Sequence, residues 1–186
     1  MDDLAMRGRL DSGFTLIELL IVVAVIGIIA AIAIPGLLRA RMSGNEASAV
    51  ASMRAILSAQ QTYNSACGNG YYASQLPILG NAPSGSVPFL SPDLSAGAIV
   101  DKSGYRVTMT QGIESTAAPS DGCNASGVAA ALFTSYYATA NPLAQGLSGS
   151  RFFYTNTLAA IYQADTNLFG ASTLGNAAPA VGTPIQ

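Results

Sequence analysis

The polar–apolar pattern divides the chain sharply near its start. Residues 1–13 are polar, with Asp2, Asp3, Arg7, Arg9 and Asp11, whereas from Phe14 to Leu38 the only ionisable side chain is Glu18. The run Leu19–Ile34 carries no polar side chain at all. As a helix, Phe14–Leu38 would extend about 37 Å at ~1.5 Å per residue, enough to cross a bilayer. The helical pattern then continues without a break. Arg39–Tyr63 contains no proline and only Gly44 as a breaker, and Met42, Ala49, Met53, Ile56 and Leu57 recur at spacings of three, four and seven. That spacing places them on one face of an amphipathic second half. The breakers Cys67-Gly68-Asn69-Gly70 predict its end.

Beyond the helix the pattern weakens. In 68–103, Pro77, Pro83, Pro88 and Pro92 forbid a regular long helix, so the segment reads as an irregular, surface-exposed connection. Strand signals follow in 104–169. Tyr105–Thr110 alternates between Gly104 and Gly112, Leu132–Thr139 is rich in aromatics, and Arg151–Thr155 and Ala159–Gln163 suit a hairpin across Asn156-Thr157-Leu158. Three or four antiparallel strands against the amphipathic half of the helix would bury its Ala/Met/Ile face. The tail 170–186 is Gly, Ala, Pro, Thr and Asn, with little to bury, and is expected to be flexible.

Composition narrows the chemistry. Half the residues are hydrophobic and 10% are charged, against about a quarter charged in an average globular domain. Histidine is absent, which removes Ser-His-Asp and Cys-His catalysis and His-bound metals. The carboxylates are dispersed, and nothing local pairs them for acid–base work. The expectation is a non-enzyme with no catalytic residue, no cofactor and no metal. A net charge of −2 without a basic cluster gives no direct sign of nucleic-acid binding.

The apolar segment alone fits an ordinary single-pass anchor, or a signal peptide cut after Ala31-Ile32-Ala33. Two features argue against both. An anchor has no use for Glu18, whose burial costs up to roughly 3 kcal/mol at mid-membrane. A signal peptide is followed by a mature domain, whereas here the helix runs on.

The residues Gly13-Phe14-Thr15-Leu16-Ile17-Glu18-Leu19-Leu20 resemble the cleavage and methylation signal of type IV prepilins and type II secretion pseudopilins. The likeness is close over Ser12–Pro35, fair to Tyr63, and only architectural beyond. It implies that a prepilin peptidase cuts between Gly13 and Phe14 and N-methylates Phe14. Residues 1–13 are then a leader, and Met6 is an alternative start giving a shorter basic one. It implies that identical or related subunits are partners in a homopolymer, together with the inner membrane before assembly and a pilus or secretion machinery.

Cleavage would create an ammonium on Phe14, with an ordinary pKa near 8. Glu18, one turn along, could pair with it within or between subunits and set the axial register, because an unpaired buried charge is costly. The alternative is a carboxylate snorkelling to the cytoplasmic interface. Gly27 and Pro35 weaken the helix, and the resemblance implies that the stretch between them can lose helicity in a filament. Arg39 and Arg41 would sit at lipid head groups, then face acidic neighbours such as Glu46 of another subunit. Two arginines flank each end of the span, so charge alone does not orient it.

Cys67 and Cys123 are the only cysteines. Export favours a disulfide between them, with two free thiols as the alternative. Asn124-Ala125-Ser126 fits a glycosylation sequon, a weak signal. The expected fold is α+β and pilin-like, with a long N-terminal helix packed against a small antiparallel sheet. Its divisions are 1–13 leader, 14–38 membrane or filament-core half, 39–67 amphipathic half, 68–103 connection, 104–169 sheet and 170–186 tail. The functional expectation is a structural subunit of a type IV pilus-like filament serving adhesion, motility or DNA uptake. It would be a single-pass precursor in the inner membrane and an extracellular or periplasmic filament after assembly. The alternatives are a secretion pseudopilin and, from another class, a membrane-anchored module binding glycans through a Tyr-rich surface.

Overall fold

The computed structural model describes residues 13–124, 132–167 and 175–185. Leader residues 1–12, Ala125 and Ser126 of the sequon, and 170–174 of the tail lie outside the described residues. The chain forms two compact units, one ending at Arg39 and one running from Ala40. Helix α1 (Leu16–Ala66) contains Gly27, Pro35 and Gly44. It closes where expected. The N–H groups of Cys67 and Gly68 both donate to Tyr63 O (2.9 and 2.7 Å), and the chain then turns through Asn69 and Gly70 at positive φ.

In the second unit an antiparallel sheet runs in the order β2-β3-β5-β6-β7-β8. Its strands are β2 (Ile99–Lys102), β3 (Tyr105–Gln111), β5 (Tyr136–Pro142), β6 (Phe152–Asn156), β7 (Ile161–Ala164) and β8 (Thr183–Ile185). A separate pair joins β1 (Tyr72–Ala73) to β4 (Leu132–Phe133). The alternation of β3 decides its inward face: Tyr105, Val107 and Met109 are buried while Arg106 is exposed. Across from it, Val107 pairs with Ala140 and Met109 with Ala138. These side chains share one core with Ala49, Met53, Ile56 and Tyr63 of α1, all at most 2% exposed. The amphipathic half of α1 therefore packs on the sheet through the face its spacing predicted, which makes the fold α+β and pilin-like. Between β2 and β3, Ser103 and Gly104 both have positive φ (48° and 74°), the two-residue turn that matches strand twist.

The sheet is larger than the sequence suggested, and segment 68–103 differs from the expected irregular, surface-exposed connection. It holds β1, β2 and the short helices α2 (Leu76–Gly80) and α3 (Pro92–Ser95). Leu76, Ile78, Leu79, Leu90 and Leu94 are all buried. The prolines mislead because Pro77 and Pro92 occupy the first turns of α2 and α3, where a missing N–H costs nothing. The tail also differs, since β8 pairs with β7 through Ile161, Tyr162 and Gln163. Leu132–Thr139 is split between the two sheets.

Buried Gln60 ties β1 to α1. Its Nε2 donates to Ala73 O (2.6 Å) while its Oε1 accepts from Ala73 N (3.0 Å). One side chain thereby satisfies both backbone groups of a residue that is 0% exposed.

Candidate functional site

In the first unit, Gly13, Phe14 and Thr15 precede α1 in non-helical conformation. Thr15 and Glu18 form a reciprocal cap. Glu18 Oε2 accepts from Thr15 N (2.9 Å) and Thr15 Oγ1 (2.7 Å), and Glu18 N donates to Thr15 Oγ1 (3.3 Å). This is the Ser/Thr-x-x-Glu capping box, which satisfies donors that a helix start leaves open and sets a negative charge at its positive end. The pattern stands openly in the sequence as Thr15-Leu16-Ile17-Glu18, and it adds a role for Glu18 beside those of ammonium partner and interfacial carboxylate. The cap fixes the carboxylate on the residue next to Phe14, whose nitrogen becomes an amine if the chain is cut after Gly13.

From Leu16 to Leu38 the large apolar side chains are 46–80% exposed. Burial of each such side chain is worth about 1.5–3 kcal/mol, so this stretch carries a large driving force toward lipid or another helix. It is long and apolar enough to cross a membrane. Gly27 and Pro35 lie within it, and no atom outside the local helix approaches within 4 Å of where a Gly27 Cβ would be.

The second unit holds a buried ionic clamp that sequence reasoning misplaced. Glu46, 6% exposed, accepts from Arg151 Nη2 (2.6 Å), Arg151 Nε (2.8 Å), Ser150 N (2.8 Å) and Ser150 Oγ (2.8 Å). Arg151 also donates from Nη1 to Gln163 Oε1 (2.7 Å). Burial alone would raise the Glu46 pKa; the Ser150 N–H and the Arg151 guanidinium outweigh it and hold the carboxyl below its ordinary value. Glu46 is thus consumed within its own chain, which corrects the expectation that it faces arginines of another subunit.

Cys67 and Cys123 are disulfide-bonded, with Cα atoms 4.7 Å apart. Cys123 N donates to Cys67 O (3.0 Å), and the following Asn124 donates to Ile78 O (2.7 Å) and accepts from Tyr63 Oη (3.1 Å). Burial, aided by the charge of Asp121, pushes the Tyr63 phenol up to about 12, so it remains a donor in this clamp. The sequence-predicted residues therefore fall in two places. Gly13, Phe14, Glu18, Gly27 and Pro35 lie in the first unit and the cysteines in the second. Among the described residues no three His, Cys, Asp or Glu side chains gather to hold a metal. Of the tyrosines, Tyr63, Tyr105, Tyr136 and Tyr154 are buried and the other four half-buried.

The prokaryotic N-terminal methylation motif matches residues 8–34. The chain is 47% identical over 53 residues to the type IV major pilin protein PilA of Myxococcus xanthus, covering 28% of this chain and 24% of the relative. It is 42% identical over 71 residues to the type IV wide pilus major component PilA4 of Thermus thermophilus, covering 38% of this chain and 53% of the relative. The chain thus spans about a quarter and about half the length of these relatives. No solved structure matches it. The chain carries a prepilin-type N-terminus and is similar to type IV major pilins, which are structural subunits rather than enzymes.

Proposed function

We propose that this chain is a structural subunit of a type IV pilus-like filament, cut between Gly13 and Phe14, N-methylated on Phe14, and polymerised through the first half of α1. The observation that carries the reading is the exposed apolar stretch Leu16–Leu38, placed directly after the methylation motif and broken only by Glu18. In the precursor this stretch spans the inner membrane. After cleavage it exchanges lipid for the same stretch of neighbouring copies, so little apolar area returns to water.

The Phe14 ammonium created by cleavage enters a low-dielectric bundle and needs an anion. Glu18 supplies one at a position its bond with Thr15 already defines. A mis-staggered copy would bury the ammonium unpaired, so the pair sets register as well as affinity. Gly27 and Pro35 give the packed helices room to adjust, because each lowers the cost of losing local helicity. Adhesion, motility and DNA uptake are the roles open to such a fibre outside the cell. The pseudopilin reading shares every step of this assembly. The dispersal of Asp93, Asp101 and Asp121, with the first two held by Lys102 and Arg106, favours a pilus over a calcium-bearing pseudopilin. Shearing cells and probing the released material for this chain tests the reading. Recovery of processed subunit in sheared fibres supports it, and retention wholly in the membrane with no fibre overturns it.

A further inference from the structure

The turn that closes α1 sets an asparagine with a free side chain directly before a glycine. Asn69 and Gly70 are both exposed, and both have positive φ (51° and 89°). They form the only Asn-Gly pair in the chain. Among the described residues the Asn69 side chain makes no hydrogen bond. No atom lies within 4 Å of where a Gly70 Cβ would be, so no neighbouring element crowds the pair.

An asparagine so placed can cyclise onto its own chain. The backbone nitrogen of the next residue attacks the side-chain Cγ, its proton leaves with the amide as ammonia, and a succinimide ring remains. Water then opens the ring at either carbonyl. One product is aspartate; the other is isoaspartate, in which the chain runs through the former side-chain carbon. Solvent water is the only co-reactant, and nothing is oxidised or reduced. A Cβ on the following residue hinders the attack, and glycine has none.

The other asparagines each lack a requirement. The amides of Asn45, Asn124 and Asn156 are spent on Ser148 O (2.8 Å), Ile78 O (2.7 Å) and Ala177 O (2.6 Å). Asn141 precedes Pro142, which has no N–H to attack with. Asn64 lies inside α1, where the helical ladder holds the following N–H. Asn81, Asn167 and Asn176 are exposed but precede Ala82, Leu168 and Ala177. One contact opposes reaction at Asn69: Gly70 N donates to Asn64 O (3.0 Å). It is the last bond to α1, made by an exposed residue, and bonds at such ends open at little cost.

We propose that Asn69 is a site of spontaneous modification, converting through a succinimide to aspartate and isoaspartate in the folded subunit. The inference stands on the second unit alone and does not depend on the filament reading. Conversion adds a carboxylate at the C-terminal end of α1, where the helix already presents its partial negative charge. The isoaspartate form also lengthens the backbone by one carbon inside the Gly68–Tyr71 turn, which Tyr71 N closes onto Gly68 O (2.9 Å). The mark accumulates with time, so it records the age of a subunit beside the disulfide at Cys67.

The experiment incubates the full chain, folded in detergent, in mildly alkaline buffer and maps its peptides by mass over time, with fragmentation that separates aspartate from isoaspartate. The expected result is progressive replacement of the Asn69 amide by an acid, with both isomers present. It should run on the order of tenfold faster than at Asn81 or Asn176, whose following alanines carry a Cβ. Gly70→Ala should slow it by a similar factor. Because alanine at positive φ strains the turn, Asn69→Gln provides a second arm: its amide lies one carbon too far for the same ring and should persist. An Asn69 amide that survives the incubation overturns the proposal, as does equal loss in Asn69→Gln. Aspartate without isoaspartate overturns the succinimide route. Conversion seen only after denaturation shows that the Gly70–Asn64 bond protects the site, and overturns the proposal as well.

Discussion

Glu46 and Arg151, 105 residues apart in sequence, are joined in the folded unit by two side-chain hydrogen bonds of 2.6 and 2.8 Å that pin the middle of α1 to the residue before β6. Glu46 is buried while the Arg151 side chain is 42% exposed, so the pair is asymmetric. Removing the arginine strands a buried carboxylate, although Ser150 still donates to it. Arg151→Met should therefore cost about 1–3 kcal/mol, and Glu46→Gln less. Thermal unfolding of the detergent-solubilised subunit measures this, and an unchanged melting temperature for Arg151→Met would remove the clamp from the account.

The same pair has a pH signature. The folded-state pKa of Glu46 lies below its ordinary value of 4.5. The stabilisation is therefore complete above the unfolded-state pKa and is lost as pH falls through the folded one. Wild-type protein should lose stability below about pH 4.5, and Glu46→Gln should flatten that acidic limb. Asp93 and Asp101 are also lowered by their cation partners, but both are exposed and screened, so they add little to the slope. Equal acidic limbs in wild type and Glu46→Gln would show that the clamp is not the titrating group.

Closing the loop between Cys67 and Cys123, 56 residues apart, is worth roughly 4 kcal/mol in the chain-entropy picture. Cys67 is buried and Cys123 exposed, so a reductant can reach the bond from the Cys123 side. Reduction of the native subunit, or Cys123→Ser, should lower the melting temperature by on the order of 10 °C. Superimposable melting curves with and without reductant would contradict this.

Gln60→Leu should cost about 2–4 kcal/mol, because both buried backbone groups of Ala73 lose their partner at once. The damage should be local. Amide exchange would speed up in 71–81 before it does in β3 and β5, and uniform protection across the unit would count against the Gln60 tie.

Some of this was readable from residues alone. The helix, its amphipathic face and its end near Cys67 follow from periodicity and breakers, which are local. So do β3, from its strict alternation, and the β6–β7 hairpin. What escaped was non-local or ambiguous. β2 is only Ile99-Val100-Asp101-Lys102, half polar, and becomes a strand by pairing with β3. β8 contains Pro184 and owes its state to β7. Proline read as a breaker at 77 and 92 was a helix starter. The Glu46 partner could not be read at all, since nothing in a sequence announces an arginine 105 residues on.

At the candidate site the apolar run is legible in the sequence as an unbroken stretch, whereas the cap between Thr15 and Glu18 is a common four-residue pattern that becomes distinctive only once the helix is seen to start at Leu16. The cap separates two roles of one carboxylate. Thr15→Val removes the hydroxyl half of the cap, leaving the backbone N–H bond to Glu18, and keeps the charge; Glu18→Gln keeps the shape and removes the charge. If assembly depends on the charge, Glu18→Gln should abolish filaments while Thr15→Val lowers their yield severalfold at most, with cleavage intact in both. Filament yields from sheared cells, set against processed subunit in the membrane, decide it. Normal yield from Glu18→Gln would reduce Glu18 to a helix cap.

The central claim is that the mature chain begins at Phe14, two residues before α1, and is then built into a fibre. The most direct measurement is the mass of the N-terminal peptide of subunits in sheared filaments. The account predicts a peptide starting at Phe14 and carrying one N-methyl group. A peptide starting at Ile34, after Ala31-Ile32-Ala33, or one still bearing Gly13, would contradict it.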